Sequence, residues 1–335
     1  MQAYRLHAFE GPDALRLEEL PSPRPGFGQV LVRIRAVSLN YRDLLVAQGV
    51  YNPRLRLPLI PLSDGAGEVI ALGEGCTRFR VGDRVAANFM PAWIAGPIDD
   101  SAARSALGGE ADGLLAEEVV LPEAGLVRLP SHLTFEEAAT LPCAGLTAWN
   151  AMFVAAACKP GETVLVQGTG GVSIFALQFA RMAGARVIAT SKSDQKLQRL
   201  KDLGASAGIN YQSNPNWDDE VRALTDGDGV DLVIEVGGAG TLARSIRSVK
   251  RGGFIAVIGI LSGPGEINPL PILMRTVRLQ GIFVGSRTMF EDMIRAVSVH
   301  GLRPVVDRVF AFGQAAEAMR HLASGTHFGK VVIRV

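Results

Sequence analysis

The stretch "ETVLVQGTGGVS", residues 162–173, decides how the chain is read. An apolar run ends in a glycine turn, and apolar side chains then recur at helical spacing, which predicts a strand, a tight turn and a helix. Gly168 permits the turn and Gly170 lets a ligand approach the backbone, while Ser173 replaces the third glycine of the dinucleotide fingerprint. A purely structural turn between strand and helix is the alternative. The predicted pyrophosphate site consists of Gly168, Thr169, Gly170, Gly171 and Val172.

The choice of dinucleotide depends on the segment "ATSKSDQK", residues 189–196. An acid at the end of this second strand would bind the ribose hydroxyls of NAD. Thr190, Ser191 and Lys192 stand there instead, with Lys196 one turn further on, and hydroxyl and ammonium groups suit a 2′-phosphate. Asp194 keeps NAD open if it turns inward, although a helix N-cap is an equally good reason for an aspartate. We expect NADPH (NADP+) as the cofactor, with solvated lysines as the alternative.

Composition excludes several classes of protein. The chain has 335 residues, 48% of them hydrophobic and 20% charged, as in a globular protein. Its formal net charge of +1 offers no global field to nucleic acid or to an anionic membrane. The first residues lack an apolar secretory segment and no apolar run is long enough to span a bilayer, so we expect a cytoplasmic protein that binds neither nucleic acid nor membrane. Cys76, Cys143 and Cys158 have no paired spacing, which argues against a disulfide framework.

The rhythm of the sequence predicts an α/β protein with two domains. Short alternating runs up to about residue 125 predict an antiparallel, barrel-like β domain, in which residues 89–113 form a long loop. From about Thr134, apolar strands alternate with amphipathic helices, which predicts a doubly wound parallel sheet. The tail again resembles the first part. We therefore predict one discontinuous domain, residues 1–125 and 287–335, around a nucleotide-binding domain, residues 126–286.

Five further motifs carry a resemblance to a known family. They are "SLNYRDLLVAQGVY" (38–51), "PLSDGAGEV" (61–69), "RFRVGDRV" (78–85), "LPCAGLTAWNA" (141–151) and "FGKVVIRV" (328–335). With the glycine turn, they resemble the medium-chain dehydrogenase/reductase superfamily, in its zinc-independent quinone oxidoreductase (zeta-crystallin-like) branch, over essentially the whole chain. The resemblance implies a GroES-like β-barrel catalytic domain, a Rossmann domain, a cofactor in the cleft between them, and a homodimer or homotetramer. The apolar stretch "RLQGIFVG" (278–285) would be the pairing sheet edge, or equally a strand covered within one subunit.

The same resemblance predicts that no catalytic metal is bound. The zinc ligands of the alcohol dehydrogenases in this superfamily would correspond to Asn40, Ser63 and Cys143, of which only the cysteine is a ligand type. The structural zinc loop would correspond to about residues 88–113, which contain no cysteine. Cys143 remains either a small apolar filler or a reactive thiol beside the cofactor.

The remaining site residues are also implied by the resemblance. Asn40 and Tyr51 would face the nicotinamide and act on the substrate, whereas Asp43 would be a catalytic group, a partner of Arg42 or a backbone cap. Tyr51 could also be a loop aromatic that covers the core. Lys330 would reach a phosphate or be a solvated strand charge. Further cofactor contacts would come from Tyr211, from Gly259, Ile260 and Leu261, and from Val284, Gly285 and Ser286.

The chemistry expected of such a site is hydride delivery to an acceptor that is already electrophilic. Without a Lewis acid an alcohol is not readily ionised, so the substrate would be a small carbonyl compound or quinone, in particular an α,β-unsaturated carbonyl. The alternatives are an NADP-dependent alcohol or aldehyde oxidoreductase that works without zinc, and a non-catalytic NADPH-binding protein of crystallin type.

Overall fold

The structure is a computed structural model that describes residues 1–259 and 261–335. The strands, in chain order, are β1 (Gln2–Leu6), β2 (Leu15–Glu19), β3 (Gln29–Ser38), β4 (Asp64–Leu72), β5 (Arg84–Ala87), β6 (Glu118–Pro122), β7 (Leu126–Arg128), β8 (Thr163–Gln167), β9 (Arg186–Ser191), β10 (Ala207–Asn210), β11 (Val230–Glu235), β12 (Val249–Val257), β13 (Arg278–Gly281), β14 (Val306–Ala311) and β15 (Lys330–Arg334).

The α-helices, in chain order, are α1 (Tyr41–Ala47), α2 (Asp100–Ala103), α3 (Phe135–Ala138), α4 (Leu146–Trp149), α5 (Gly171–Met182), α6 (Asp194–Asp202), α7 (Trp217–Ala223), α8 (Ala239–Ser248), α9 (Leu270–Met274), α10 (Arg287–His300) and α11 (Ala315–Ala323). Turns of 3-10 helix lie at Gly11–Ala14, Glu123–Gly125 and Phe312–Gln314, and π-helical turns at Leu141–Gly145 and Asn150–Ala155. None of the helices among the described residues combines the length and the apolar character that crossing a bilayer requires.

The chain divides into two compact units. The first unit is Met1–Leu146 with Val284–Val335, and the second is Thr147–Phe283. In the first unit a seven-stranded sheet has the order β14-β15-β3-β4-β5-β7, and β6 pairs with β3. Strand β15 at the end of the chain is antiparallel to β3, so the C-terminal segment completes this sheet. The core beneath it is mostly aliphatic and includes Leu39, Leu62 and Leu114.

The second unit contains a six-stranded sheet in the order β10-β9-β8-β11-β12-β13. All of its pairings are parallel. In sequence order this is the 3-2-1-4-5-6 arrangement of a Rossmann sheet, with the switch point between β8 and β11. The uniformly apolar strands predicted from the sequence are explained by burial on both faces, because helices cover a parallel sheet on both sides. The predicted α/β fold, with a first unit built on a β-sheet and a second unit built on a doubly wound parallel sheet, is confirmed.

Two predicted boundaries are wrong. Residues 126–146 belong to the first unit, since β7 pairs with β5 there and Leu126 is buried in its core. Residues 284–286 also belong to the first unit. The break in sequence rhythm near Thr134 therefore precedes the structural boundary, because α3 and the turns after it are helical but pack with the β domain.

Two other expectations need correction. The segment 89–113 is not wholly a loop, since it contains α2, which the Asp99 carboxylate caps by accepting from the Ala102 N–H at 2.7 Å. The strand predicted over residues 278–285 ends at Gly281 in the structure, where it is β13. All four residues of β13 are exposed. Strand β13 is thus an edge of its sheet and is not covered within its own unit.

Candidate active site and cofactor site

The glycine turn follows β8 at the carboxyl edge of the parallel sheet. Gly168 has φ +69°, a left-handed conformation that favours glycine, and its N–H donates to the Thr190 carbonyl at 2.7 Å. Gly170 differs, because its φ of −75° and ψ of 175° suit any residue. A Cβ added to Gly170 would meet no heavy atom within 4 Å. Neither backbone strain nor packing requires glycine at 170, and the open space beside its backbone suits the close approach of a ligand.

The helix after the turn is pinned to the strand before it. Helix α5 begins at Gly171, and its first N–H groups have no partner within the helix, which makes its start suitable for a pyrophosphate. Ser173 is buried, and its hydroxyl donates to the Gln167 carbonyl at 2.6 Å. A serine can therefore replace the third glycine of the fingerprint, because its side chain is small and its hydroxyl has a hydrogen-bond acceptor in the strand before the turn. Thr169 is buried and Val172 is half-buried in the same turn.

Sequence reasoning missed a buried polar network beside this turn. Glu235, at the end of β11, is 0% exposed, and its Oε2 accepts from the Gln167 amide at 2.8 Å. Its Oε1 accepts from the N–H groups of Gly237 and Gly238 at 2.8 and 3.0 Å. The Gln167 amide also donates to the Ser245 hydroxyl at 2.7 Å. The network holds the ends of β8 and β11 together at the switch point, where dinucleotides bind in such sheets.

The residues predicted to select the cofactor lie together at the next strand ends. Ser191 is buried at the end of β9, and its carbonyl accepts from the Tyr211 N–H at 3.1 Å. Tyr211 directly follows β10 and is partly exposed, and desolvation raises the pKa of its phenol. Lys192 is exposed and Lys196 is half-buried in the first turn of α6.

Asp194, which would favour NAD if its side chain turned inward, already accepts a hydrogen bond. The side-chain amide of Asn210 donates to Asp194 Oδ1 at 2.7 Å. The N-cap of α6 is Ser193, not Asp194 as the sequence suggested, and its hydroxyl accepts from the Lys196 N–H at 3.3 Å. Asp194 is the first helical residue, where a negative charge also suits the helix dipole.

The turn after the fifth strand of the sheet is only partly described. Gly259 is constrained, since an added Cβ would come within 1.9 Å of the Val236 carbonyl oxygen. Leu261 is exposed, and Ile260 lies outside the described residues. The predicted contacts at Val284, Gly285 and Ser286 are in the first unit, where Ser286 is the N-cap of α10 and its hydroxyl accepts from the Met289 N–H at 3.3 Å.

A second buried polar cluster occupies the first unit around Asn40. This residue is 8% exposed at the start of α1, and the ammonium of Lys330 donates to its side-chain oxygen. The same ammonium donates to the Leu39 carbonyl at 2.6 Å and lies 3.9 Å from Asp64 Oδ2. Lys330 is only 4% exposed, so it is not the solvated strand charge that the sequence allowed. Its ammonium is directed to Asn40, and not to a phosphate as expected.

Asp64 is the counter-charge in this cluster and was not singled out from the sequence. It is 0% exposed, accepts from the Ser63 hydroxyl at 2.8 Å and from the Cys143 N–H at 3.1 Å, and burial raises the pKa of its carboxyl. Asp64 is therefore held by hydrogen bonds from Ser63, Cys143 and the Asn40 side chain and by one long ion pair, which partly compensate its desolvation.

The predicted catalytic residues Tyr51 and Asn40 each contact a residue of helix α1, Arg42 and Asp43 respectively. The Arg42 guanidinium lies over the Tyr51 ring at 5.2 Å and over the Phe89 ring at 4.8 Å. Asp43 accepts the Asn40 N–H at 2.7 Å and lies 3.9 Å from Arg42, so it is both a cap and an ionic partner. Burial raises the pKa of Asp43 to about 6, against the opposing effect of Arg42. Tyr51 itself is partly exposed.

The side chains at the predicted zinc positions do not suit a zinc ion. Asn40 accepts from an ammonium, and Ser63 donates to Asp64. Desolvation, with Asp64 nearby, raises the pKa of the Cys143 thiol, which disfavours the thiolate that zinc requires. The raised pKa favours the packing role of Cys143 over that of a reactive thiol. Across residues 1–259 and 261–335, no three His, Cys, Asp or Glu side chains are grouped so that they could hold a metal ion.

The comparisons with known proteins agree with this geometry. The model of the alcohol dehydrogenase GroES-like domain matches residues 26–131, and that of zinc-binding dehydrogenase matches residues 171–298. A zinc-type alcohol dehydrogenase-like protein of Schizosaccharomyces pombe is 46% identical over 97% of this chain and 96% of its own. A quinone oxidoreductase of Lama guanicoe is 29% identical over 99% of this chain and 97% of its own. A crystal structure of an NAD-dependent alcohol dehydrogenase has a TM-score of 0.92 at 39% identity, covering 100% of both chains.

A GroES-like unit and a parallel sheet with a glycine turn at its switch point form the fold of a pyridine nucleotide-dependent dehydrogenase. The chain belongs to the medium-chain dehydrogenase/reductase superfamily, as the motifs indicated, and is an oxidoreductase of that type.

Proposed function

We propose that this protein is a zinc-independent oxidoreductase that uses NADPH to reduce quinones or α,β-unsaturated carbonyl compounds. NADPH, when bound, supplies the hydride, and the chain's own residues bind, orient and polarise the acceptor. Gly168, Gly170 and the start of α5 would hold the pyrophosphate, and Ser191, Lys192 and Lys196 the 2′-phosphate. Asn40 and Tyr51 would act on the acceptor.

The observation that carries this proposal is the hydrogen bonding of Asn40. Its side-chain oxygen accepts from Lys330, while its amide nitrogen lies 3.5 Å from the Ser63 hydroxyl and also donates to the Asp64 carboxylate, which lowers the pKa of Asp64. The orientation of the amide is thereby fixed: one of its two N–H groups serves the cluster of Ser63 and Asp64, and the other is the proposed donor to an acceptor oxygen. A buried ammonium behind the amide strengthens the donor, because a low dielectric environment enhances such fields. A donor fixed in this way stabilises negative charge that develops on a carbonyl oxygen and leaves little need for a Lewis acid.

The preference for NADPH is supported by the charges beside β9. Lys192 is exposed just before the N-cap of α6, and Lys196 lies half-buried in the first turn of that helix. The only acid in the segment 189–196, Asp194, is bonded to Asn210 and begins a helix. A 2′-phosphate would therefore meet cations and hydroxyls, while the ribose of NAD would lack a dedicated carboxylate.

A second candidate is an alcohol or aldehyde oxidoreductase that works without zinc. The names of the relatives favour it, since the fission yeast protein is called alcohol dehydrogenase-like and the solved structure is called an NAD-dependent alcohol dehydrogenase. The donor set at Asn40, Ser63 and Cys143 weighs against it, because alcohol oxidation needs a group that lowers the pKa of the hydroxyl. Oxidation of simple alcohols with NADP+ would support this candidate.

The test is cofactor consumption by metal-stripped protein, with NADPH and NADH in parallel and a quinone, an enone and a simple aldehyde as acceptors. We expect turnover of the quinone or the enone, selective for NADPH. Turnover of the aldehyde alone, or full activity only after zinc is restored, would overturn the proposal. Tight NADPH binding without turnover of any acceptor would favour a non-catalytic, crystallin-like role.

We also propose that the protein acts in the cytoplasm as a homodimer or homotetramer. The support is β13, an exposed edge strand that contains the exposed Leu279 and is preceded by the exposed Leu273 and Met274. Open strand edges with apolar flanks are ready to pair with a second copy. Light scattering of the wild type and of a Leu279→Lys variant tests this: we expect an oligomer for the wild type and smaller species for the variant. A monomeric wild type would refute it.

A further inference from the structure

A basic pocket lies on the second unit, away from the glycine turn. Its volume is about 370 Å³, and it is lined by Arg222, Asp228, Lys250, Arg251 and Arg275. Lys250 and Arg251 lie in the first part of β12, whereas the glycine turn follows the last residue of β8. Because β8, β11 and β12 run parallel, the pocket lies where the strands begin and the glycine turn lies where they end. The pocket is therefore separate from the proposed pyrophosphate site.

The charges in this pocket are poorly balanced. Lys250 is paired with Asp231, which lies outside the lining. The three guanidinium groups are not in an ion pair with any residue in the described part of the chain, and only one carboxylate, that of the exposed Asp228, lines the pocket. In a chain whose formal net charge is +1, four cations around one small pocket are a local concentration of positive charge.

The arginines are held in place by backbone carbonyls, which carry no full charge. Arg222 donates to the carbonyls of Gly227 and Arg247, the latter at 3.2 Å. Arg251 donates to the Met274 carbonyl at 2.7 Å. Arg275 donates to the Val249 carbonyl at 2.5 Å, yet its buried Nε has no hydrogen-bond partner. Desolvation, together with Arg222 and Arg251, lowers the pKa of Arg275. The guanidinium groups are thus pre-positioned and mutually repulsive, with donor capacity left over.

We propose that this pocket binds a small oxyanion with two or more negative charges, namely a phosphate or pyrophosphate group. Guanidinium groups match such oxygens with two parallel hydrogen bonds, and the anion would remove the repulsion among the cations. The volume is in the lower part of the range for small-molecule sites, which suits a free ion or a small phosphorylated metabolite. Bound anion would join α7, β12 and the end of α9 and so stabilise the second unit. The inference does not depend on the proposed reaction.

The experiment is calorimetric titration of inorganic pyrophosphate into the protein in saturating NADPH and at constant ionic strength. Saturating NADPH occupies the proposed pyrophosphate site at the glycine turn, so that pyrophosphate binding there does not contribute to the measured heat. We expect one site, with affinity reduced about tenfold or more by Arg251→Gln, the effect of losing one charge-assisted hydrogen bond. Arg275→Lys, which keeps the charge but loses the fork, should also weaken binding. Arg186→Gln, an exposed arginine at the start of β9, makes the same change in net charge and should have no effect.

The outcomes separate the sources of the anion. Tighter binding of pyrophosphate or inorganic phosphate than of glycerol 3-phosphate supports a free ion, and the reverse order supports a phosphorylated metabolite. Absence of binding in the cofactor-saturated protein would overturn the proposal. Arg186→Gln and Arg251→Gln weakening pyrophosphate binding equally would also overturn the proposal, since net charge alone would then explain the effect.

Discussion

The ammonium of Lys330 donates a hydrogen bond to the side-chain oxygen of Asn40, although 290 residues separate them. This contact orients the amide and brings a positive charge behind it. Asp64 balances the charge from 3.9 Å. Lys330 is therefore a positioning residue for the proposed donor, in a cluster that is buried almost completely.

Replacement of Lys330 separates its two roles. Lys330→Met should destabilise the fold by about 3–5 kcal/mol, because it leaves the Asp64 carboxylate buried without its partner. It should also lower kcat roughly tenfold or more, since the Asn40 amide is no longer held in one orientation. The double variant Lys330→Met with Asp64→Asn should recover most of the stability and none of the activity. Recovery of both, measured by denaturant titration and steady-state kinetics, would show that Lys330 serves the fold alone.

Local pattern predicted the second unit well, while the buried polar clusters were beyond it. The strand of residues 163–167 and the turn after it were correct because apolar runs and glycine spacing are short-range signals. Gln167 and Glu235 are 68 residues apart in the sequence, and the local sequence around either residue does not predict their contact. The sequence predicts a phosphate contact or a solvated charge at Lys330, because nothing in the local sequence of the last strand reveals that its lysine faces a buried carboxylate. The boundary error at residue 126 has a similar cause, since the pairing of β7 with β5 is also non-local.

Reversal of the charges at the start of α6 tests the cofactor assignment. Lys192→Glu with Lys196→Glu should weaken NADPH binding by about tenfold or more and leave NADH binding nearly unchanged, because only the former carries the 2′-phosphate. Lys201→Glu, near the end of the same helix, is the control. Fluorescence titration gives both dissociation constants. Equal losses for NADPH and NADH would remove the lysines from the phosphate site.

The hydroxyl of Tyr51 can be removed without disturbing its packing. The ring stacks on the Arg42 guanidinium, a contact that phenylalanine preserves. Tyr51→Phe should therefore lower kcat several-fold while the NADPH dissociation constant and the melting temperature stay constant. Tyr41→Phe, at the exposed first residue of α1, is the matched control. Unchanged kcat for Tyr51→Phe across a quinone and an enone would exclude the hydroxyl from the mechanism.

The buried carboxyl of Asp43 should make stability depend on pH. Burial raises its pKa from 3.8 to about 6, so the folded state binds this proton more readily than the unfolded chain. The group's contribution to stability is therefore largest at low pH and falls as pH rises towards 6. The asparagine in Asp43→Asn is neutral at every pH. The free energy of unfolding of this variant, relative to that of the wild type, should therefore fall by about 1 kcal/mol when the pH is lowered from 6 to 5. Denaturant titrations at both pH values measure this, with Asp219→Asn as the control for one lost charge. A difference that is constant with pH would contradict the assignment.

Gly170 and Gly259 make opposite predictions for the same substitution. Gly170→Ala should leave the free energy of unfolding within about 1 kcal/mol of the wild type, since its backbone is unstrained and no atom lies within 4 Å of the new Cβ. It should nevertheless weaken the binding of both NADPH and NADH, because the methyl group would occupy space that the shared pyrophosphate needs. Gly259→Ala should instead destabilise the protein, because its Cβ would lie 1.9 Å from the Val236 carbonyl oxygen. Thermal unfolding with and without cofactor distinguishes the two. If Gly170→Ala binds both cofactors as the wild type does, the glycine turn is a structural turn between strand and helix, and the cofactor must be sought elsewhere.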